Sequence, residues 1–224
     1  MNIAAVRILF LKDLFLSRRQ LFGYFAGGLV SSMVACVPNP TLGFIGFILT
    51  ITVAISAGIH LIGTLLLSES TDQTRAFVFS LPISLLDYSV GKMSVILTTY
   101  LLPWSAMFAI TTIATFALPW GKNGAVVVLP GIFLFLLCGF TIQLATAVLS
   151  GSIGCTIGVM VGCNVALNVF LMKYFMHPEI MEVRNSDVLT WPSVAVQTHL
   201  IECVLIIVSL VVAFVMQTRK RDLV

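Results

Sequence analysis

Long apolar runs broken by short polar or proline-marked interruptions dominate this chain. Each run reaches the ~20 residues that a helix needs to cross a ~30 Å hydrocarbon core. The first extends over about 21–38 and stops at Pro38-Asn39-Pro40, and the second over about 42–67, so the two form a hairpin with an uncharged tip. A polar stretch from Glu69 to Lys92 then divides the hydrophobic sequence. A third run over about 93–118 carries Pro103 and ends at Pro119-Trp120-Gly121. The fourth, about 125–149, is parted from the fifth, about 153–175, by the turn Ser150-Gly151-Ser152. A second polar segment, His177 to Ser193, precedes the sixth run at about 196–217. Ahead of all six, residues 1–20 mix apolar side chains with Arg7, Lys12, Asp13, Arg18 and Arg19, a pattern suited to a helix lying in the headgroup region.

The pattern predicts an all-α, polytopic membrane protein: six transmembrane helices in one domain over 1–224, with an interfacial helix at 1–20. Composition agrees. With 59% hydrophobic and 9% charged residues among 224, and a mean hydropathy of +1.09, too few polar side chains exist to cover a water-facing surface. An even number of spans puts both termini on one side, and the Lys and Arg residues select that side. Nine of the twelve, at 7, 12, 18, 19, 75, 92, 219, 220 and 221, fall on the terminal side, against Lys122, Lys173 and Arg184 opposite. Both termini and the 69–92 loop are therefore expected in the cytoplasm, and the 177–193 segment outside. A charge of +3 gives no indication of a nucleic-acid partner. The start of the chain offers no small-residue cleavage site, and its apolar residues are interrupted by charge, so insertion is expected to use the first span.

Few residues carry evident chemistry. No phosphate-binding loop of the GxxxxGK[ST] type occurs, so any dependence on ATP has to come through a partner. Helical metal or protease motifs are absent too, and the five cysteines lie in apolar runs without CxxC spacing, as packing thiols do. Glu202 is an acid well inside the sixth span, with His199 at i, i+3 before it. A charge at that depth costs ~2.5–3.5 kcal/mol on insertion scales and so faces a cavity or a partner. The alternative is that Glu202, only about 9 Å along the helix, snorkels to the outer interface. Gln143, Asn164 and Asn168 are polar within spans four and five, and interhelix hydrogen bonds account for them. Gly154, Gly158 and Gly162 place missing side chains on one face of span five, where another backbone can approach, within the chain or between chains.

The 69–92 segment is the most informative. Its polar start, Glu69-Ser70-Thr71-Asp72-Gln73-Thr74-Arg75, leads into Ala76-Phe77-Val78-Phe79 and then Ser80-Leu81-Pro82-Ile83-Ser84. Pro82 suits a first helical turn and Ser80 or Ser84 a cap, which predicts a short amphipathic helix with Phe77, Phe79 and Leu81 as anchors for a groove in a soluble partner. A helix resting on the lipid surface is the other reading.

These features resemble the short six-span permeases of type-2 ATP-binding-cassette exporters from bacteria. The resemblance rests on Leu11-Lys12-Asp13-Leu14 before the first span, on Glu69 and Asp72 in an E-x-x-D loop, and on S-L-P-I-S-x-x-x-Y-x-x-x-K from Ser80 to Lys92. Family members carry a basic residue after the second serine, where this chain has Leu85. The resemblance implies that the 69–92 loop is a coupling helix between spans two and three. Glu69, Asp72 and Arg75 would orient it and Phe77, Phe79, Leu81 and Pro82 would seat it in a separate nucleotide-binding ATPase subunit. It further implies a second permease chain, ATP and Mg bound by the ATPase rather than here, no enzymatic activity in this chain, a place in the bacterial cell membrane, and an amphipathic peptide, antibiotic or lipid-like cargo. A membrane scaffold or sensor that recruits a regulator, or a proton-coupled carrier using Glu202 and His199, are the alternatives.

Overall fold

The computed structural model describes residues 2–68, 84–119 and 121–219. Among them the chain is helical throughout, with no strand. Helix α1 spans Ile3–Ala35 and starts at Asn2, whose side chain accepts from the Ala5 amide. Asn39 caps α2 (Pro40–Ile62) through the Thr41 and Leu42 amides, with Pro40 at the first helical position, where no amide hydrogen is missed. Helix α2 passes into a wider π turn at Gly63–Leu67. Then follow α3 (Leu85–Ala117), α4 (Ala125–Ser150), α5 (Ile153–Phe175), the short α6 (Pro178–Arg184) and α7 (Ser193–Arg219). Between α4 and α5, Gly151 sits at φ +60°, a left-handed conformation that costs an L side chain roughly 1 kcal/mol and glycine nothing.

Among the described residues, five helical stretches are long and apolar enough to cross a membrane: Pro40–Leu67, Leu86–Ala117, Ala125–Ser150, Ile153–Phe175 and Ser193–Met216. They correspond to the second through sixth expected spans. The first is not among them. In place of an interfacial helix followed by a span, α1 runs unbroken through Arg18, Arg19 and Gln20, and its more apolar half is diluted by Tyr24, Gly23, Gly27, Gly28, Ser31 and Ser32. The third span also differs from expectation. The hydropathy pattern starts it near 93, but α3 begins at Leu85, because Ser84 and Asp87 form a reciprocal capping box and the polar residues after it are buried by packing.

Helix α4 is the centre. Inside the chain 61% of its apolar window is buried, against 11% for α5, and it touches α2, α3, α5, α6 and α7. Tyr100 of α3 stacks on Phe140 of α4 with ring centres 3.7 Å apart, and the Trp104 indole donates to the Phe133 carbonyl at 2.9 Å. Ser209 of α7 donates to Thr141 of α4 at 2.8 Å. Helix α1 lies against α2 and α3 on one flank. There the Thr50 and Ser31 hydroxyls meet at 3.2 Å, and Gly46 brings the α2 backbone so close to α1 that a Cβ would fall on the Val34-Ala35 backbone. His60, alone in its span by sequence, meets the Tyr24 hydroxyl at 2.8 Å and so serves this helix contact.

Candidate functional site

Two polar arrangements stand out. One is a cleft of ≈ 340 Å³ between α4, α5 and α7. Phe135 and Cys138 come from α4, Phe170, Lys173 and Tyr174 from α5, and Val194, Thr198, Ile201, Glu202 and Leu205 from α7. His177, at the cap of α6, completes it. The aromatic wall is continuous: Phe135 stacks on Phe170 at 4.5 Å, and Phe170 on Tyr174 at 5.1 Å.

Glu202 is 4% exposed, and among the described residues neither of its carboxylate oxygens has a hydrogen-bond partner. The His177 Nδ1 atom is likewise buried without one. Because α7 starts at Ser193, nine positions before Glu202, the carboxylate stands about 14 Å along the helix, deeper than the sequence boundary implies. His199 points elsewhere: its Nε2 meets the Tyr174 hydroxyl at 3.4 Å, with the Trp191 ring edge-on at 6.0 Å. Gly131 makes room for that pair, since a Cβ there would lie 3.1 Å from the Tyr174 hydroxyl and 3.2 Å from the histidine nitrogen. A larger cleft of ≈ 430 Å³ includes Lys122 and Arg184, but Lys122 is already paired with Asp187 at 2.7 Å.

The other arrangement ties α1 to the start of α3. Asp13 and Lys92, 4% and 2% exposed, form an ion pair at 2.8 Å, and Lys12 lies 3.3 Å from the second Asp13 oxygen. Nearer the chain start, the Asn2 amide donates to Asp87 at 2.8 Å, and Ser84 donates to the other Asp87 oxygen at 2.7 Å. Gly91 lets the helices close up, with the Leu9 side chain 3.3 Å from where its Cβ would be. Ser84, Tyr88 and Lys92 thus follow one another at helical spacing from cap to buried pair.

Not every expected site residue takes its expected place. Gln143 and Asn164 line a small cavity of ≈ 20 Å³ with Tyr100 and Cys163, apart from Glu202. The amides of Asn164 and Asn168 donate to the carbonyls of Met160 and Asn164, within their own helix, so the interhelix bonds expected of them are not made by those groups. A carbonyl four residues back is always in reach, and the Asn168 side chain is exposed. Gly158 and Gly162 have nothing within 4 Å of an added Cβ, and Gly154 has only Ser152 at 3.7 Å. Among the described residues their stripe is therefore met by no other helix. Glu69, Asp72, Arg75, Phe77, Phe79, Leu81 and Pro82 lie outside the described residues. The cleft residues Lys173, Tyr174 and His177 escape the sequence reading. Their spacing at the end of span five was the available signal, but nothing in one chain says that spans five and six enclose a common space.

The fold defines an all-helical protein with several helices suited to a bilayer. Comparison with protein-family models, characterised proteins and solved structures gives no match.

Proposed function

We propose that this chain is the permease subunit of an ATP-binding-cassette exporter in a bacterial cell membrane. In this reading the second half of α1 is the first of six spans, both termini are cytoplasmic, and the segment from Glu69 to Pro82 docks in a separate nucleotide-binding ATPase subunit. A second permease chain, identical or homologous, completes the translocation path for an amphipathic cargo.

The observation that supports it most is the clamp at the loop's exit. A docking segment can drive a transporter only if its displacement reaches the spans instead of being lost in a slack linker. Here the polar loop ends directly on Ser84, the cap of α3, and the next two turns are tied to α1 through Asp87 and through the buried Asp13–Lys92 pair. A push on the loop would move α1 and α3 as one body. ATP would then act by favouring one arrangement of the spans over another, since a nucleotide bound equally well in both shifts neither.

The test is purification of the tagged chain from its native membranes, followed by assay of ATP hydrolysis and of a copurifying subunit with a phosphate-binding loop. Phe77→Asp with Leu81→Asp should leave membrane insertion intact and abolish both. Wild-type ATPase association in that variant overturns the docking role, and uptake into liposomes under a pH gradient without nucleotide makes the chain a proton-coupled carrier instead.

A further inference from the structure

We infer that the cleft beside Glu202 binds an apolar molecule bearing a primary ammonium group. Glu202 and His177 both line the cleft, and both Glu202 carboxylate oxygens and His177 Nδ1 lack hydrogen-bond partners among the described residues. All three are acceptors when Glu202 is ionised and the imidazole carries its proton on Nε2, and a primary ammonium has three N–H donors and no acceptor. A neutral hydroxyl would satisfy one of the three. An anion would face the carboxylate directly. Burying a carboxylate without a counter-charge is expensive, so a cation entering the cleft relieves a cost already present in the fold.

The rest of the cleft fits an apolar body. The stacked Phe135, Phe170 and Tyr174 rings form one wall, and Leu205 and Ile201 stand on α7 opposite. Aromatic faces also attract a desolvated cation. A volume of ≈ 340 Å³ falls at the lower end of the range for small-molecule sites. Lys173, exposed and also lining the cleft, disfavours a second positive charge on the ligand, which narrows the class to monoamines. Binding stands apart from the permease reading; only the further role of this ligand as exported cargo rests on it.

The full chain in phosphatidylcholine nanodiscs, titrated with fluorescent 2-(1-naphthyl)ethylamine and with its neutral counterpart 1-ethylnaphthalene, tests the inference, with empty nanodiscs subtracted. A charge-assisted hydrogen-bonded contact predicts a preference of about tenfold or more for the amine. Glu202→Gln, nearly isosteric, should erase that preference and leave the affinity for ethylnaphthalene unchanged. Phe170→Ala should weaken both ligands. Equal affinity of the two probes for the wild-type chain, or an undiminished preference in Glu202→Gln, overturns the proposal. Phosphatidylethanolamine added to the nanodisc separates two sources of the same chemistry. Displacement of the probe assigns the ammonium to a lipid headgroup, and its persistence to a free amine. No ATPase subunit is present in the assay, so failure of the docking experiment leaves this result untouched.

Discussion

Replacing Asp13 by leucine removes the carboxylate 2.8 Å from the Lys92 ammonium and puts the α1–α3 clamp to a quantitative test. At that separation and an effective dielectric of about 20, the attraction is roughly 6 kcal/mol. Desolvation of each ion offsets several kcal/mol of it, so the net value of the pair is small. The cost of removing one partner is not, because the other remains buried: about 3–5 kcal/mol. Asp13→Leu and Lys92→Met are each expected to fall near that range; in Lys92→Met the half-exposed Lys12 still lies 3.3 Å from Asp13 and contributes up to about 1 kcal/mol as a surface pair does. The double variant, with two apolar side chains facing each other, should recover most of the loss. Reversible unfolding in mixed micelles of rising SDS fraction measures all four proteins in one cycle. Single effects that add to the double within about 0.5 kcal/mol would show that the residues do not act as a pair and would refute the clamp.

Two glycine substitutions probe the helix faces in opposite directions. Gly46→Ala drives a methyl group into the α1 backbone at Val34 and Ala35, and overpacking of that kind costs about 1–3 kcal/mol; an unchanged unfolding midpoint would contradict the close approach of α1 and α2. Gly158→Ala meets nothing within 4 Å, so the single chain should unfold no earlier, and a helix freed of an interior glycine gains about 0.5–1 kcal/mol. Destabilisation of the isolated chain by Gly158→Ala would place that face against the chain itself, whereas reduced energy transfer between labelled copies would mark it as the contact with a second chain.

The parts of the fold written in the sequence are those set by local chemistry. Proline and asparagine at 38–40 turn the chain into α2, and the lone left-handed glycine at 151 turns it into α5. Hydropathy places α2, α3, α4, α5 and α7 because lipid and core select the same side chains, whereas α6 falls in a segment that reads only as polar. What stays illegible is tertiary. Lys92 reads as the end of a polar loop, since nothing near it in sequence reveals Asp13, 79 positions away. Asn164 and Asn168 look like interhelix glue, yet each amide finds a carbonyl one turn back. Glu202 is conspicuous as an acid in a span, while its companions Tyr174 and His177 are ordinary residues at a helix end until α4, α5 and α7 enclose them.

The two arrangements are joined by α4. The clamp fixes the base of α3, and α3 meets α4 through the Tyr100–Phe140 stack and the Trp104 bond to the Phe133 carbonyl. Two residues beyond Phe133, Phe135 opens the aromatic wall of the cleft, and two before it Gly131 admits Tyr174 and His199. The indole and the carbonyl it bonds thus occupy the same turn of α4 that shapes the cleft. Close-packed side chains do not deform continuously; they hold one packing or shift to another. A displacement of α3 large enough to break the Trp104 bond therefore has to repack the α4 turn carrying Gly131 and Phe135. The helix held by the clamp and the wall of the cleft therefore meet at one turn of α4, and that turn is where a movement of α3 would first be felt by the cleft.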